Sequence, residues 1–215
     1  MSFQYSQVLR SGLIVMAADR CQGHLGFKKG TEQLVYEYYD TIQKLHITKN
    51  NIGISSSGNS KKDTLDHVNK YIKTLECQTS LETAQCLKSF ALSIDPKADI
   101  VFNIGGFDYA DNSPKMYEVF TTYRGDRSKD GILPVNNGER IADIATGCAY
   151  EKFNTNIIVP NINKIRNLNK RDAVDFILWS AAQARELHDK PEQISKEIDI
   201  LLIYDDHYEW IGGLK

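Results

Sequence analysis

The stretch that decides the fold is SGLIVMAADR, residues 11–20 of a chain of 215 residues. Ser11 and Gly12 are typical turn residues, and the apolar run Leu13–Ala18 favours a β-strand. Residues 3–9 suit a second strand, since they precede the turn directly. The sequence therefore predicts that the chain opens with a β-hairpin that turns at residues 10–12.

The remainder of the chain separates into runs of strands and runs of helices. Further strands are predicted at residues 44–48, 52–56, 99–104, 116–122, 141–146, 198–204 and 208–211. Helices are predicted at residues 60–75, 81–92 and 171–188, where apolar residues recur at helical spacing. Residues 34–39 fit either a strand or a helix, and the strand at 99–104 is expected to end at Gly105-Gly106. This segregation predicts an α+β fold with two stacked sheets between helical layers, in a single domain over residues 1–215.

Composition and charge narrow the classes of partner. The chain is 41% hydrophobic and 25% charged, and its net charge is −2. Such a balance gives no strong attraction to nucleic acid or to an anionic membrane. Its four cysteines lack CxxC spacing, which favours a reducing compartment over a disulfide framework. We therefore expect a cytoplasmic protein that binds neither nucleic acid nor membrane.

Three short motifs could carry a metal or a nucleotide, and each has a simpler interpretation. Cys21 and His24 have metal-like spacing, but a zinc site needs three or four ligands. Asp205-Asp206-His207 fits a polar hairpin turn. Gly105-Gly106 lacks the following helix of a phosphate-binding loop. The sequence therefore predicts no cofactor and no metal.

Four segments share their order and spacing with one known family. They are residues 11–20 (SGLIVMAADR), 44–58 (KLHI, then IGISSSG), 102–108 (FNIGGFD) and 145–147 (ATG). Together they resemble the proteasome β-type subunits and their bacterial relatives, which are N-terminal-nucleophile (Ntn) hydrolases. The resemblance covers nearly the whole chain and implies a four-layer αββα sandwich.

The resemblance also implies an active site. Ser2 maps to the nucleophile, exposed by removal of Met1, with its own α-amine as the base. Lys44 maps to the lysine that lowers the pKa of that amine by like-charge repulsion. Asp19 maps to the carboxylate that holds the lysine, and Gly58 maps to the backbone N–H that stabilises the oxyanion. Threonine is the commoner nucleophile in the family, and serine supplies an equivalent hydroxyl.

Supporting positions follow from the same resemblance. Thr146 lies where the family has a serine near the amine, and Asp189 lies where an aspartate pairs with a serine. Ser195 is the candidate for that serine, although its spacing is wider here. Mapping Ser2 onto the nucleophile requires one extra residue in the first hairpin; otherwise Phe3 falls at that position. An insertion between Asp19 and Lys44 lies near the implied substrate pocket.

The function implied by the resemblance is hydrolysis of peptide bonds, with peptides or unfolded proteins as substrates. Two alternatives stay open: a non-catalytic structural subunit with a blocked N-terminus, and an Ntn amidohydrolase that acts on a non-peptide amide. The resemblance further implies a homo-oligomeric ring, and it leaves any ATPase or other regulator unspecified.

Overall fold

The computed structural model describes residues 3–27, 34–39, 42–59, 64–122, 131–135, 140–144, 152–188 and 191–214. The strands within these ranges are β1 (Phe3–Val8), β2 (Ile14–Asp19), β3 (Gln22–Phe27), β4 (Leu34–Tyr39), β5 (Leu45–Ile47), β6 (Gly53–Asn59), β7 (Asp99–Asp108), β8 (Ser113–Phe120), β9 (Ile132–Val135), β10 (Arg140–Ile144), β11 (Ile198–Ile203) and β12 (Tyr208–Leu214). The α-helices are α1 (Thr64–Ile72), α2 (Ser80–Ile94), α3 (Val159–Ile165) and α4 (Lys170–Leu187). A π-helical turn, Asn154–Ile158, leads into α3.

The strands form two five-stranded antiparallel sheets and one separate hairpin. The first sheet has the order β10-β1-β2-β11-β12, and the second has the order β5-β6-β7-β8-β9. Strands β3 and β4 pair with each other. In the first hairpin Gln4 lies opposite Ala18, and the turn falls at residues 10–12 as the sequence predicts.

Three apolar clusters show how the layers are stacked. One cluster packs the π-turn, α3 and α4 against the first sheet, through residues such as Tyr5, Phe176 and Ile200. A second packs α1 and α2 against the second sheet, through Ile54 and Leu87 among others. The third lies between the sheets and contains residues such as Met16, Leu45, Met116 and Leu201. The order of layers is therefore helix, sheet, sheet, helix, and the predicted αββα sandwich is confirmed.

Local sequence signals explain where two of the helices begin. Thr79 caps α2 by accepting a hydrogen bond from the backbone N–H of Glu82, whose carboxylate accepts one from the N–H of Thr79 in return. This reciprocal capping box satisfies two amides that the helix itself leaves unpaired. Asn169 caps α4 by accepting from the N–H of Asp172. None of the helices in the described residues is both long and apolar enough to cross a lipid bilayer.

Strand β7 differs from its prediction, because it continues through Gly105-Gly106 to Asp108. The expectation that these glycines end the strand is wrong. A Cβ on Gly105 would lie 3.0 Å from the Ile14 side chain, and one on Gly106 would lie 3.0 Å from the Ile52 side chain. The glycines therefore permit close packing on both faces of the strand rather than a turn.

Four other elements were ambiguous or missed in the sequence. Residues 34–39 form a strand, because they pair with β3, and that pairing cannot be read from their own composition. Strands β3 and β9 were not predicted, because each is short and carries too few alternations for a periodic signal. The helical segment from Asn154 to Ile165 was also not predicted, because it is rich in asparagine and contains Pro160, which are poor helix formers.

Candidate active site

A buried ion pair lies between the two sheets, beside the start of β1. Asp19 ends β2, and Lys44 precedes β5 in the other sheet. The Nζ atom of Lys44 donates to Oδ1 of Asp19 over 2.7 Å, and the side chains are 5% and 0% exposed. Burial of two charges is unfavourable unless they are paired and hydrogen-bonded. This pair meets that condition, because both charges have close partners.

Backbone amides complete the surroundings of Asp19. Its Oδ1 atom also accepts from the N–H of Phe3 over 3.0 Å. Its Oδ2 atom accepts from the N–H of Cys21 over 3.2 Å and from the N–H of Ser195 over 3.1 Å. The carboxylate therefore joins the start of β1, the end of β2, the segment before β5 and the segment before β11. These shared hydrogen bonds to one carboxylate fix the position of Lys44 relative to the start of β1.

Gly58 lies near the end of β6, beside the segment that carries Lys44. Its φ is +130°, and a Cβ there would lie 2.0 Å from the carbonyl oxygen of Asp99. Only glycine fits this position. Two residues earlier, the N–H of Ser56 donates to the carbonyl of Lys44 over 3.0 Å. Because strand amides alternate in direction, the N–H of Gly58 faces the same edge of β6 as that of Ser56, on the side of Lys44.

A second ion pair adjoins Asp19. The guanidinium of Arg20 donates to both carboxylate oxygens of Asp199, over 2.8 and 2.6 Å, and lies 3.5 Å from Glu197. Asp199 is 1% exposed, whereas the side chain of Arg20 is 32% exposed. The hydrogen bonds that the guanidinium donates to Asp199 raise the pKa of Arg20 above its ordinary value. This bidentate pair ties the end of β2 to β11.

Polar side chains line part of the space between the sheets. Gln4, Ser6, Ser55 and Asn103 are all 0% exposed, and Asn103 donates to the carbonyl oxygen of the Gln4 side chain over 3.0 Å. This hydrogen bond links β1 of the first sheet to β7 of the second. Gln4 is the residue after Phe3, so the link holds the start of β1 against the opposite sheet.

The predicted site residues are therefore only partly brought together. Asp19, Lys44 and Ser195 meet, although Ser195 does so through its backbone, and its hydroxyl accepts from the N–H of Glu197 over 2.9 Å. Gly58 lies on the neighbouring strand. Ser2, Thr146 and Asp189 lie outside the described residues.

Phe3 is the residue that falls at the nucleophile position if the first hairpin has no extra residue. Its side chain is 0% exposed and packs edge-on against Phe153, with the ring centroids 6.4 Å apart. It belongs to the apolar cluster between the first sheet and the helices. The side chain of Phe3 therefore points into the core, while its backbone nitrogen binds Asp19.

Comparison with solved structures bears on the fold. The fold is that of a proteasome-like protein. The chain superposes on the solved structure of the Gly-1 mutant of Anbu from Hyphomicrobium sp. strain MC1, a proteasome-like fold, with a TM-score of 0.64. The match covers 99% of this chain and 87% of that chain at 11% sequence identity. At this identity the likeness shows the fold alone.

The family assignment made from the four sequence segments needs correction. No family model matches the chain, and no curated protein matches it. Membership of the proteasome β-type family, as inferred from those segments, is therefore wrong as an assignment. The segments predicted the sandwich correctly because their order follows the order of strands, which many divergent sequences can share.

Two contacts of the site were not predicted from the sequence, namely those of Arg20 with Asp199 and of Gln4 with Asn103. A signal for the first was present. Asp199 is the lone charge in the apolar strand Ile198–Ile203, and a charge in a buried strand requires a partner. Asn103 is likewise a lone polar residue in the apolar run Ile100–Ile104. Nothing in the sequence shows which residues these two side chains contact.

Proposed function

We propose that this chain hydrolyses amide bonds through Ser2, once the residue before it has been removed. The observation that carries the proposal is the buried pair of Asp19 and Lys44 beside the backbone nitrogen of Phe3. Ser2 is bonded to that nitrogen in the sequence, and the same carboxylate oxygen accepts from both Phe3 and Lys44. A proteasome-like fold with a lysine held beside the backbone nitrogen of Phe3 supports Ntn chemistry.

In this mechanism the α-amine of Ser2 serves as the general base. An unperturbed α-amine has a pKa of about 7.7–8.0, and the ammonium of Lys44 lowers that pKa by like-charge repulsion. The amine takes the proton of the Ser2 hydroxyl as its oxygen attacks the carbonyl carbon of the substrate. The proton then passes to the leaving amine, and an ester to Ser2 remains. Water hydrolyses this ester and restores the hydroxyl.

The backbone N–H of Gly58 is the proposed donor to the oxyanion. The alternation of strand amides directs this N–H to the Lys44 side of β6 in the proposal, and the backbone conformation of Gly58 is one that no other residue can adopt there. A fixed donor stabilises negative charge on the carbonyl oxygen in the transition state. Thr146 and Asp189 remain proposed supporting residues near the amine, and Ser195 contributes through the N–H that it donates to Asp19.

The deciding experiment combines intact mass with covalent labelling. We expect the mass of the purified protein to correspond to a chain that begins at Ser2. A peptide epoxyketone, which reacts with both the hydroxyl and the amine of an N-terminal nucleophile, should then add once, at Ser2. Ser2→Ala should abolish the adduct and the hydrolysis of peptide amides, while its thermal midpoint stays close to that of the wild type.

The possible results separate the proposal from its alternatives. A protein with a free Ser2 amine that forms no adduct and cleaves no amide would contradict it. A chain that keeps a residue before Ser2 in its mature form would favour a non-catalytic structural subunit. An adduct at Ser2 with no cleavage of peptides would point to a non-peptide amide as substrate.

We further propose that the protein assembles into a homo-oligomeric ring and takes peptides or unfolded proteins as substrates. The proteasome-like fold supports this arrangement. Size-exclusion chromatography with light scattering should give a mass that is a multiple of the 24.4 kDa chain. A monomer at high protein concentration would contradict the ring.

A further inference from the structure

A cavity of about 270 Å³ lies at the edge of the sandwich, apart from the Asp19–Lys44 pair. Its walls come from three elements: β5 with Gln43 two residues before it, the C-terminal end of α1, and β12. Ile47 and Ile72 supply aliphatic surface, and Tyr208 and Trp210 supply aromatic surface. An aliphatic and aromatic lining of this size suits the body of a small organic molecule.

One buried polar atom in this wall has an unmet hydrogen bond. His46 is 6% exposed, and within the described part of the chain its Nε2 atom has no hydrogen-bond partner of good geometry. The side chain of Asn69 on the facing helix α1, whose Oδ1 atom is likewise buried without such a partner there, lies close enough to offset in part the lowering of the pKa of His46 by burial. A buried polar atom without a well-formed hydrogen bond is unfavourable, so a ligand that bonds to it gains affinity.

The charge of the lining favours an anion. Lys73, at the end of α1, places an ammonium at the cavity, and none of the seven described residues that line it is acidic. Asp199 is the acidic group that acts on His46 from β11, and it is already paired with Arg20. A carboxylate would therefore meet the Lys73 ammonium and the His46 ring, with an apolar body against Trp210.

We propose that this cavity binds a small carboxylic acid with an aromatic or branched apolar body. The carboxylate accepts from Nε2 of His46 and pairs with Lys73, and the body of the acid packs between Ile72 and Trp210. This site is separate from the proposed hydrolysis at Ser2, because binding needs neither a free amine nor a nucleophile.

Binding of such an acid should depend on pH through His46. Burial lowers the pKa of His46, and Lys73 lowers it further, whereas Asn69, the backbone of Gln43 and Asp199 raise it. Tyr208 is the remaining ionisable group in the lining. A bound carboxylate favours the protonated ring, so affinity should increase as the pH falls from 8 to 5.5.

Tryptophan fluorescence gives a direct readout of the site. The chain has two tryptophans, and Trp179 lies on α4, half-exposed and outside the cavity lining. In a Trp179→Phe background Trp210 is the sole tryptophan, and its emission is followed by selective excitation of tryptophan over tyrosine. We expect phenylacetate to change its emission saturably, and its neutral analogue phenylacetamide to bind about tenfold more weakly, because the amide lacks the charge that pairs with Lys73.

Variants test each contact in turn. Lys73→Met should weaken phenylacetate about fivefold, as expected for a partly exposed ion pair, while Lys70→Met on the same helix leaves it unchanged. His46→Leu should abolish binding. His46→Gln should retain binding and lose its pH dependence, because glutamine donates but does not titrate. Thermal midpoints establish whether each variant is folded. If His46→Leu does not fold, the comparison of Lys73→Met with Lys70→Met tests the site.

Several results would overturn the proposal. These are an unchanged Trp210 emission at millimolar phenylacetate, equal affinity for phenylacetamide, and equal losses in Lys73→Met and Lys70→Met. Competition by inorganic phosphate as strong as that by phenylacetate would also overturn it, because phosphate has no apolar body. All of these measurements use the protein whether or not Ser2 is active, so failure here leaves the hydrolase proposal untouched.

Discussion

Asp19 accepts four hydrogen bonds, from Lys44 and from the backbone of Phe3, Cys21 and Ser195. Its charge is therefore compensated within the protein rather than by water. Removing the carboxylate or its ammonium partner would leave a charge or several donors unsatisfied in the interior. At the scale of single residues, stability and the proposed chemistry thus depend on the same two side chains.

Replacement of Lys44 by Met should lower the free energy of unfolding by about 3–5 kcal/mol, because it leaves the charge of Asp19 buried without its cation. Urea unfolding at pH 7 measures this loss. Lys49→Met is the matched control, since Lys49 pairs with Glu76 where both side chains are at least 70% exposed. Its free energy of unfolding should stay nearly unchanged. Equal effects in the two variants would contradict the importance of the buried pair.

Replacement of Gly58 by Ala should destabilise the protein by about 4 kcal/mol or more, since the new Cβ would overlap the Asp99 carbonyl. Gly12 is the matched control. It also has a positive φ, of +87°, but a Cβ there would meet its nearest atom at 3.9 Å. Gly12→Ala should therefore cost only the backbone strain, about 1–2 kcal/mol. A Gly58→Ala protein as stable as Gly12→Ala would show that β6 and β7 can separate there.

At the scale of elements, β5 and α1 enclose His46. Burial lowers the pKa of this histidine, so the folded state binds its proton less readily than the unfolded chain does. Stability rises with pH wherever the unfolded state holds more protons. The contact between β5 and α1 therefore makes the fold sensitive to acid.

The thermal midpoint should fall as the pH drops below about 6.5, the ordinary pKa that His46 regains on unfolding. His46→Gln should flatten this dependence between pH 5 and 8, because glutamine does not titrate. His67→Gln is the control, since His67 is exposed on α1, the helix that covers His46. If His67→Gln flattens the dependence of the thermal midpoint on pH as much as His46→Gln does, that dependence does not arise from His46.

At the scale of the whole molecule, the two sheets are joined by an apolar core and by a polar contact. The hydrogen bond from Asn103 to Gln4 crosses between them, in a region where both side chains are fully buried. Polar pairs of this kind specify one alignment of packed layers, since a shifted alignment would leave both groups unpaired.

Replacement of Gln4 alone by Leu should lower the free energy of unfolding by about 1–3 kcal/mol, because the buried amide of Asn103 loses its acceptor. The double variant Gln4→Leu with Asn103→Leu should recover most of that loss, since neither partner is then left unpaired. Urea unfolding of the single and double variants gives the coupling energy. Additive losses would show that the contact contributes nothing across the sheets.

The sequence by itself determined the elements whose signals are local. The run at residues 13–18 with its preceding turn gives the first hairpin, and the apolar stripe at residues 171–188 gives α4. These signals depend only on neighbours a few residues apart, so they can be read along the chain. Asp19 and Lys44 were singled out in a different way, only by the resemblance of four segments to a known family, because no local signal marks either residue.

Tertiary structure alone decided which distant residues meet. Asp19 and Ser195 are 176 positions apart, and Gln4 and Asn103 are 99 apart. Their contacts arise because the strands that carry them are neighbours in a sheet or face each other across the core. From the sequence alone, Gly105 and Gly106 predict the end of a strand. Only the packing of Ile14 and Ile52 against them shows that the strand continues. Such contacts are set by how the layers stack, and no local pattern of residues encodes that stacking.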